Sequence, residues 1–225
     1  MPMSALPLID AVIEDRTSFK QVGPQLELLP PDQLAVDRLV AAYRDGKIPG
    51  WLAVYLLGCV GHVAGYATGM SILLSNEGKS YAGVALVKMD KVRAFEDLRQ
   101  VVLSGQHPKA RSDAAYGLAL FRSQDAIDVF LTAYEAGSLL PFNQFAYNVA
   151  QCGPTDTTLL EMLRSRDSRK QKLALAIIGC LIAENMQLRP PGKDVAAAVR
   201  SLLQQADVTM APHRRERLST WANAA

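Results

Sequence analysis

Cysteine is scarce in this chain: Cys59, Cys152 and Cys180 are the only three among 225 residues, far apart and without CxxC or Cys/His ligand spacing. The pattern gives neither a disulfide framework nor a zinc site. The immediate neighbours (Gly58 and Val60, Gln151 and Gly153, Gly179 and Leu181) supply no base or positive field to lower a thiol pKa, so all three read as small buried hydrophobes. A dominant charge is missing as well. Lys and Arg number 24 against 22 Asp and Glu, a net +2, which leaves no overall field to make nucleic acid or an anionic membrane the default partner. Aromatics are 7% of the chain. Tyr116, Phe130 and Phe145 fall on apolar helix positions and read as core, not as base-stacking platforms.

Catalytic patterns are absent too. His62, His107 and His213 are scattered, with no HExxH and no GxSxG anywhere in the chain. The run Leu74-Ser75-Asn76-Glu77-Gly78-Lys79-Ser80 ends like a phosphate-binding loop, but Leu73 stands where that loop needs its first glycine, and a helical pattern precedes it. It reads as a helix-ending turn. No catalytic residue, metal site or cofactor is therefore assigned. Residues 51 to 74 contain no Asp, Glu, Lys or Arg over 24 positions, long enough to span a bilayer. Four glycines and His62 within the run, and no basic cluster on a flank, favour two buried helices joined near Gly61. The N-terminal stretch MPMSALPLIDAVIEDR has no basic residue before its short apolar part and runs into Glu14 and Asp15. That is not a signal peptide's layout, and the expected location is cytoplasmic.

What is present is order and repetition. Apolar residues make up 49% and charged residues 20%, a composition suited to a packed core. Five segments share the order apolar, small, any, apolar: they begin at Leu57, Val84, Leu118, Val149 and Ile178, with spacings of 27, 34, 31 and 29 residues. One hairpin of two short helices fits each interval. The small second position (Gly58, Ala85, Ala119, Ala150, Gly179) would let neighbouring backbones approach closely. Turn chemistry follows each segment, and a second amphipathic run follows the turn, as in Val92, Phe95, Val102 and in Ile127, Phe130, Leu131, Tyr134. Pro49, Pro108, Pro141 and Pro212 stand where first helices should begin.

The pattern resembles the HEAT-like repeat of the phycobilin-lyase type, whose consensus reads roughly ALGxIGDPxAVPxL. The matching stretches are LGCVGH at 57 to 62 and GLALFRSQDAIDVFL at 117 to 131. The family's turn aspartate has no counterpart: His62, Met89, Ser123, Pro154 and Ala183 occupy its place. The resemblance implies an all-α fold, an α-solenoid of about five helical hairpins over residues 48 to 225. Residues 1 to 47, with one clear helix at 32 to 44, would form an N-terminal cap.

Such repeats serve many functions, and the expected one here is a non-catalytic protein-protein interaction module: a scaffold, an adaptor or a toxin-neutralising protein. The polar positions on the second helices, Arg93, Asp97, Asp128, Glu135, Arg164 and Arg200, are the candidate partner-binding residues. The alternative is a nucleic-acid-binding or DNA-alkylation-repair protein of similar architecture. It would call for a broadly basic groove, whereas these helices mix both signs. A bilin lyase is suggested only by the repeat's name. Two basic runs, Arg164, Arg166, Arg169, Lys170 and Lys172 with Arg214, Arg215 and Arg217, belong to adjacent hairpins and could merge into one electropositive patch.

Overall fold

The computed structural model describes residues 4 to 138, 140 to 183, 190 to 205 and 210 to 225. Among these residues the regular structure is fourteen α-helices and one 3-10 turn, with no strand. The all-α reading therefore holds. The chain divides into two compact units, Met1–Phe121 and Arg122–Ala225.

The first unit contains α1 (Leu6–Ile13), α2 (Phe19–Leu26), α3 (Gln33–Arg44), α4 (Gly50–Val60), α5 (Tyr66–Leu74), α6 (Ala82–Met89), α7 (Lys91–Ser104) and α8 (Pro108–Ala119). Helices α2, α4, α6 and α8 form a row in which each packs on the next; α5 lodges against α4 and α6, and α7 against α6 and α8. The apolar run at 51 to 74 is broken where Gly61 adopts the left-handed conformation (φ 68°) that closes α4. No described helix is long and apolar enough to cross a membrane.

Small residues set the spacing of the row. A Cβ on Gly58 would lie 2.7 Å from the Ala85 Cβ, so the first two expected small positions do face each other. Between α6 and α8 the close crossing is made by Gly83 and Gly117: a Cβ on Gly117 would overlap the Gly83 main chain, and one on Gly83 would overlap the Asp113 carbonyl. The expected position, Ala119, is buried two residues further on.

Three helices, not one, precede residue 48. The other two are only eight residues long: Pro7 sits in the first turn of α1, and Pro24 lies inside α2, which still packs on α4 through buried Val22, Gly23 and Leu26.

The second unit contains α9 (Gln124–Glu135), α10 (Phe142–Cys152), α11 (Asp156–Leu163), α12 (Ser168–Leu181), α13 (Lys193–Leu203) and α14 (Pro212–Ala224). Helix α10 packs on α12, α12 on α14, and α11 on α13. Fully buried Phe130, Val149, Ile177, Ile178 and Val199 centre its core; each such side chain contributes about 1.5–3 kcal/mol on leaving water. Pro108 and Pro212 are the first residues of α8 and α14, while Pro49 and Pro141 cap α4 and α10.

Side chains of several chemistries cap the starts of the helices that follow these turns. His62 Nδ1 accepts from the Ala64 amide at 3.2 Å, Asp90 from Arg93 at 3.1 Å, Ser123 from Ala126 at 3.3 Å and Thr155 from Thr158 at 3.2 Å. Each satisfies an amide that the opening helical turn leaves without a partner.

Candidate functional site

Helix α7 turns inward through Ala94, Leu98, Val101 and Val102. Val92 falls off that stripe and is 89% exposed, contrary to the apolar face expected of it. The opposite face carries Arg93 and Asp97, one helical turn apart. Arg93 Nε lies 3.3 Å from Asp97 Oδ2, and its guanidinium sits 4.4 Å from the centroid of the Tyr66 ring on α5. Tyr66, 1% exposed, donates its hydroxyl to Asp97 Oδ2 at 2.9 Å. Burial first, and then the Asp97 carboxylate, push the phenol's pKa upward, so it stays protonated as the donor. The trio is thus fixed by a buried aromatic that the choice of polar surface positions had passed over.

The other candidates belong to the second unit. Asp128 accepts from Gln124 Nε2 at 2.8 Å within α9, and Glu135 pairs with Lys170 of α12 at 2.6 Å. Arg164 is exposed at the end of α11, in a recess shared with Gln171 and Asp194. Arg200 donates to the Ala222 carbonyl and so ties α13 to the end of α14. Arg93 and Asp97 are therefore brought into direct contact, Glu135 is neutralised by a cation, and Arg200 is engaged inside its own unit.

The GKS run lies in the loop between α5 and α6, where Asn76, Lys79 and Ser80 all take positive φ (65°, 47° and 71°). Such residues cost on the order of 1–3 kcal/mol each unless their surroundings hold them. Asp113 of α8, 5% exposed, closes the end of this loop: its oxygens accept from the amides of Gly83 at 3.0 Å and Ala82 at 3.3 Å, and the Ser80 backbone bonds it as well. A carboxylate thus fills the N-terminus of α6, the place a bound phosphate would need. Burial pushes the Asp113 pKa up, and the backbone amides oppose the shift. Beside it a recess of about 510 Å³ is walled by Trp51, Glu77, Lys79 and Lys109, with the Lys79 ammonium 4.9 Å from the Trp51 ring centroid.

A second recess, of about 390 Å³, opens between α10, α12 and α14. Leu175, Ala176, Gly179 and Leu218 form its apolar part, and Lys172, Arg214 and Arg217 stand exposed around it. One member of the first basic run and two of the second thus meet here. Arg169 lies instead over Tyr134, 5.3 Å from the ring centroid, and Lys170 is held by Glu135.

Cys59 and Cys152 are buried as expected, their thiols pushed up to about 11 and about 12 by desolvation. Cys180 is only half-buried and lines the recess; burial raises its pKa while Arg214 and Arg217 pull it down. No three His, Cys, Asp or Glu side chains among the described residues are grouped to hold a metal ion. Comparison with known proteins gives no match to any family model, curated protein or solved structure.

Proposed function

We propose that this chain is a HEAT-like α-solenoid that binds a protein partner through the outward surface of its second helices and performs no chemistry of its own. The observation that carries the reading is the trio of Tyr66, Arg93 and Asp97. An arginine laid on a buried aromatic and a carboxylate gripped by its hydroxyl are ordered before any partner arrives, so less side-chain entropy is lost on binding. Arginine and tyrosine are also the residues that most often dominate protein interfaces.

Val92 beside them offers exposed apolar surface. In the second unit Asp128, Glu135 and Arg164 are the polar candidates of α9 and α11, with Arg200 committed to the Ala222 carbonyl. The stacked-hairpin arrangement is supported by the close packing of α4 on α6 and of α6 on α8 through Gly58, Ala85, Gly83 and Gly117. Mixed signs on α7 suit a partner with its own charge pattern; a uniformly negative backbone would meet Asp97 as repulsive.

The test is to isolate a partner by affinity capture from the native cell and measure its binding to purified variants. Arg93→Glu should weaken binding at least tenfold with an unchanged helical spectrum, the scale of loss typical of a central interface arginine. Tyr66→Phe, which keeps both charges but releases Asp97, should weaken it less. Full affinity in both variants would remove α7 from the interface. Salt-resistant binding of DNA or RNA, or base release from alkylated DNA, would overturn the reading in favour of nucleic-acid recognition.

A further inference from the structure

We propose that the recess between α10, α12 and α14 binds an anionic amphiphile: a small ligand with an apolar body and one carboxylate or phosphate head.

Charge supplies the first argument. Lys172 of α12 and Arg214 and Arg217 of α14 line the recess, and among the described residues no Asp or Glu lines it. None of the three has a carboxylate partner among the described residues; Arg214 donates only to the neutral side chain of Asn143, at 3.2 Å. Several cations elsewhere are paired, as Lys88 is with Glu27, Arg38 with Asp10 and Lys170 with Glu135. Here three positive groups share one opening with no compensating carboxylate among the described residues, and a single anionic head would relieve their repulsion.

The floor supplies the second. Leu175 and Leu218 are buried beneath the exposed cations, and Ala176 and Gly179 are half-buried between them. Exposure therefore grades from apolar at depth to cationic at the rim, the polarity an amphiphile would match.

Gly179 is the independent sign. A glycine inside a helix is less favourable than alanine and normally answers to a close neighbour, as Gly58 answers to Ala85 and Gly83 to Gly117. A Cβ on Gly179 would meet no described atom within 4 Å. Its bare backbone instead deepens the floor of the recess. The volume, about 390 Å³, lies within the range of small-molecule sites, roughly 300–1,000 Å³. A protein or nucleic-acid footprint would need a far broader surface. The recess is built by other helices than α7, so it stands or falls apart from protein binding there.

Isothermal titration of the full chain tests the proposal, with decanoate, decyl phosphate, decanol and decyltrimethylammonium each below its micellar concentration. One-to-one binding of decanoate or decyl phosphate, at least tenfold tighter than decanol and with no binding of the cation, is the expected result. The ratio of the two anions distinguishes a carboxylate from a phosphate head. Arg214→Glu with Arg217→Glu should weaken the anion at least tenfold. Gly179→Phe should abolish binding while the thermal midpoint is kept, and Gly179→Ala should keep both binding and fold. Equal affinity for decanol, no binding of either anion, or unchanged affinity in both blocking variants would overturn the proposal. Tighter binding of an acidic peptide or an oligonucleotide with the same dependence on Arg214 and Arg217 would overturn it in favour of a macromolecular dock.

Discussion

Asp113 and Glu27 are both carboxylates, yet pH acts on them in opposite senses. Asp113 is buried, and its pKa is raised from 3.8 chiefly by desolvation. The stability it contributes is full below 3.8 and is lost as pH rises through the folded-state value. Glu27, bonded to Lys88 at 2.5 Å, has its pKa lowered from 4.5 chiefly by that bond. Its contribution is present above 4.5 and fades as pH falls through the folded value; it is also exposed and therefore screened by salt. Asp113→Asn should accordingly gain on the wild type between pH 4 and pH 7, read by urea unfolding at both ends. Asp113→Ala should lose about 1–3 kcal/mol at either pH, because two amides of α6 lose their acceptor. Asn148, 0% exposed on α10, has no hydrogen-bond partner among the described residues for either its amide nitrogen or its oxygen. Asn148→Leu, similar in volume, should raise stability by about 1–2 kcal/mol in the same assay. A loss would reveal a polar role for the amide.

At the scale of the helix, the legible features were those with a local cause. Pro108 and Pro212 open helices because an N-terminal position needs no amide hydrogen, and Gly61 and Gly137 end them because only glycine takes positive φ without strain. The repeat register rested on small residues, of which Gly58 and Ala85 lie in close contact between α4 and α6. Two short helices ahead of residue 33 were not legible, since eight residues show little of a helical period and Pro24 inside α2 argues against a helix unless tertiary packing overrides it. The exact crossing of α6 and α8 was missed by two residues, because Gly117 and Ala119 are both small and the pattern could not choose between them. Gly117→Ala should therefore destabilise by about 1–3 kcal/mol through overpacking against Gly83. Ala150→Leu, at a fully buried position of α10, should cost a similar amount. Thermal unfolding of both variants measures this.

For the molecule as a whole, helical content follows from the sequence period, and far-ultraviolet circular dichroism should show a strongly helical spectrum with negligible strand. A β-rich spectrum would refute the fold. Polar surface positions were legible as a class, but their engagements were not. Glu135 meets Lys170 across 35 residues and Arg200 reaches Ala222 across 22, distances at which only the packed chain decides who meets whom. The merging of two basic runs was foreseen from their adjacent hairpins, but only Lys172, Arg214 and Arg217 share the recess. Side-chain competition explains the rest: Glu135 and Tyr134 claim Lys170 and Arg169 first.

The crossing of Gly83 and Gly117 also limits which sequences can share descent with this one. A side chain on Gly117 would collide with the main chain of Gly83, and one on Gly83 with the main chain of Asp113, so no second side-chain substitution could rescue either. The helix caps are free to drift, since imidazole, carboxylate and hydroxyl already serve interchangeably there. Ancestry should therefore be sought less in the turns than in a pair of glycines 34 positions apart, retained while the residues around them change.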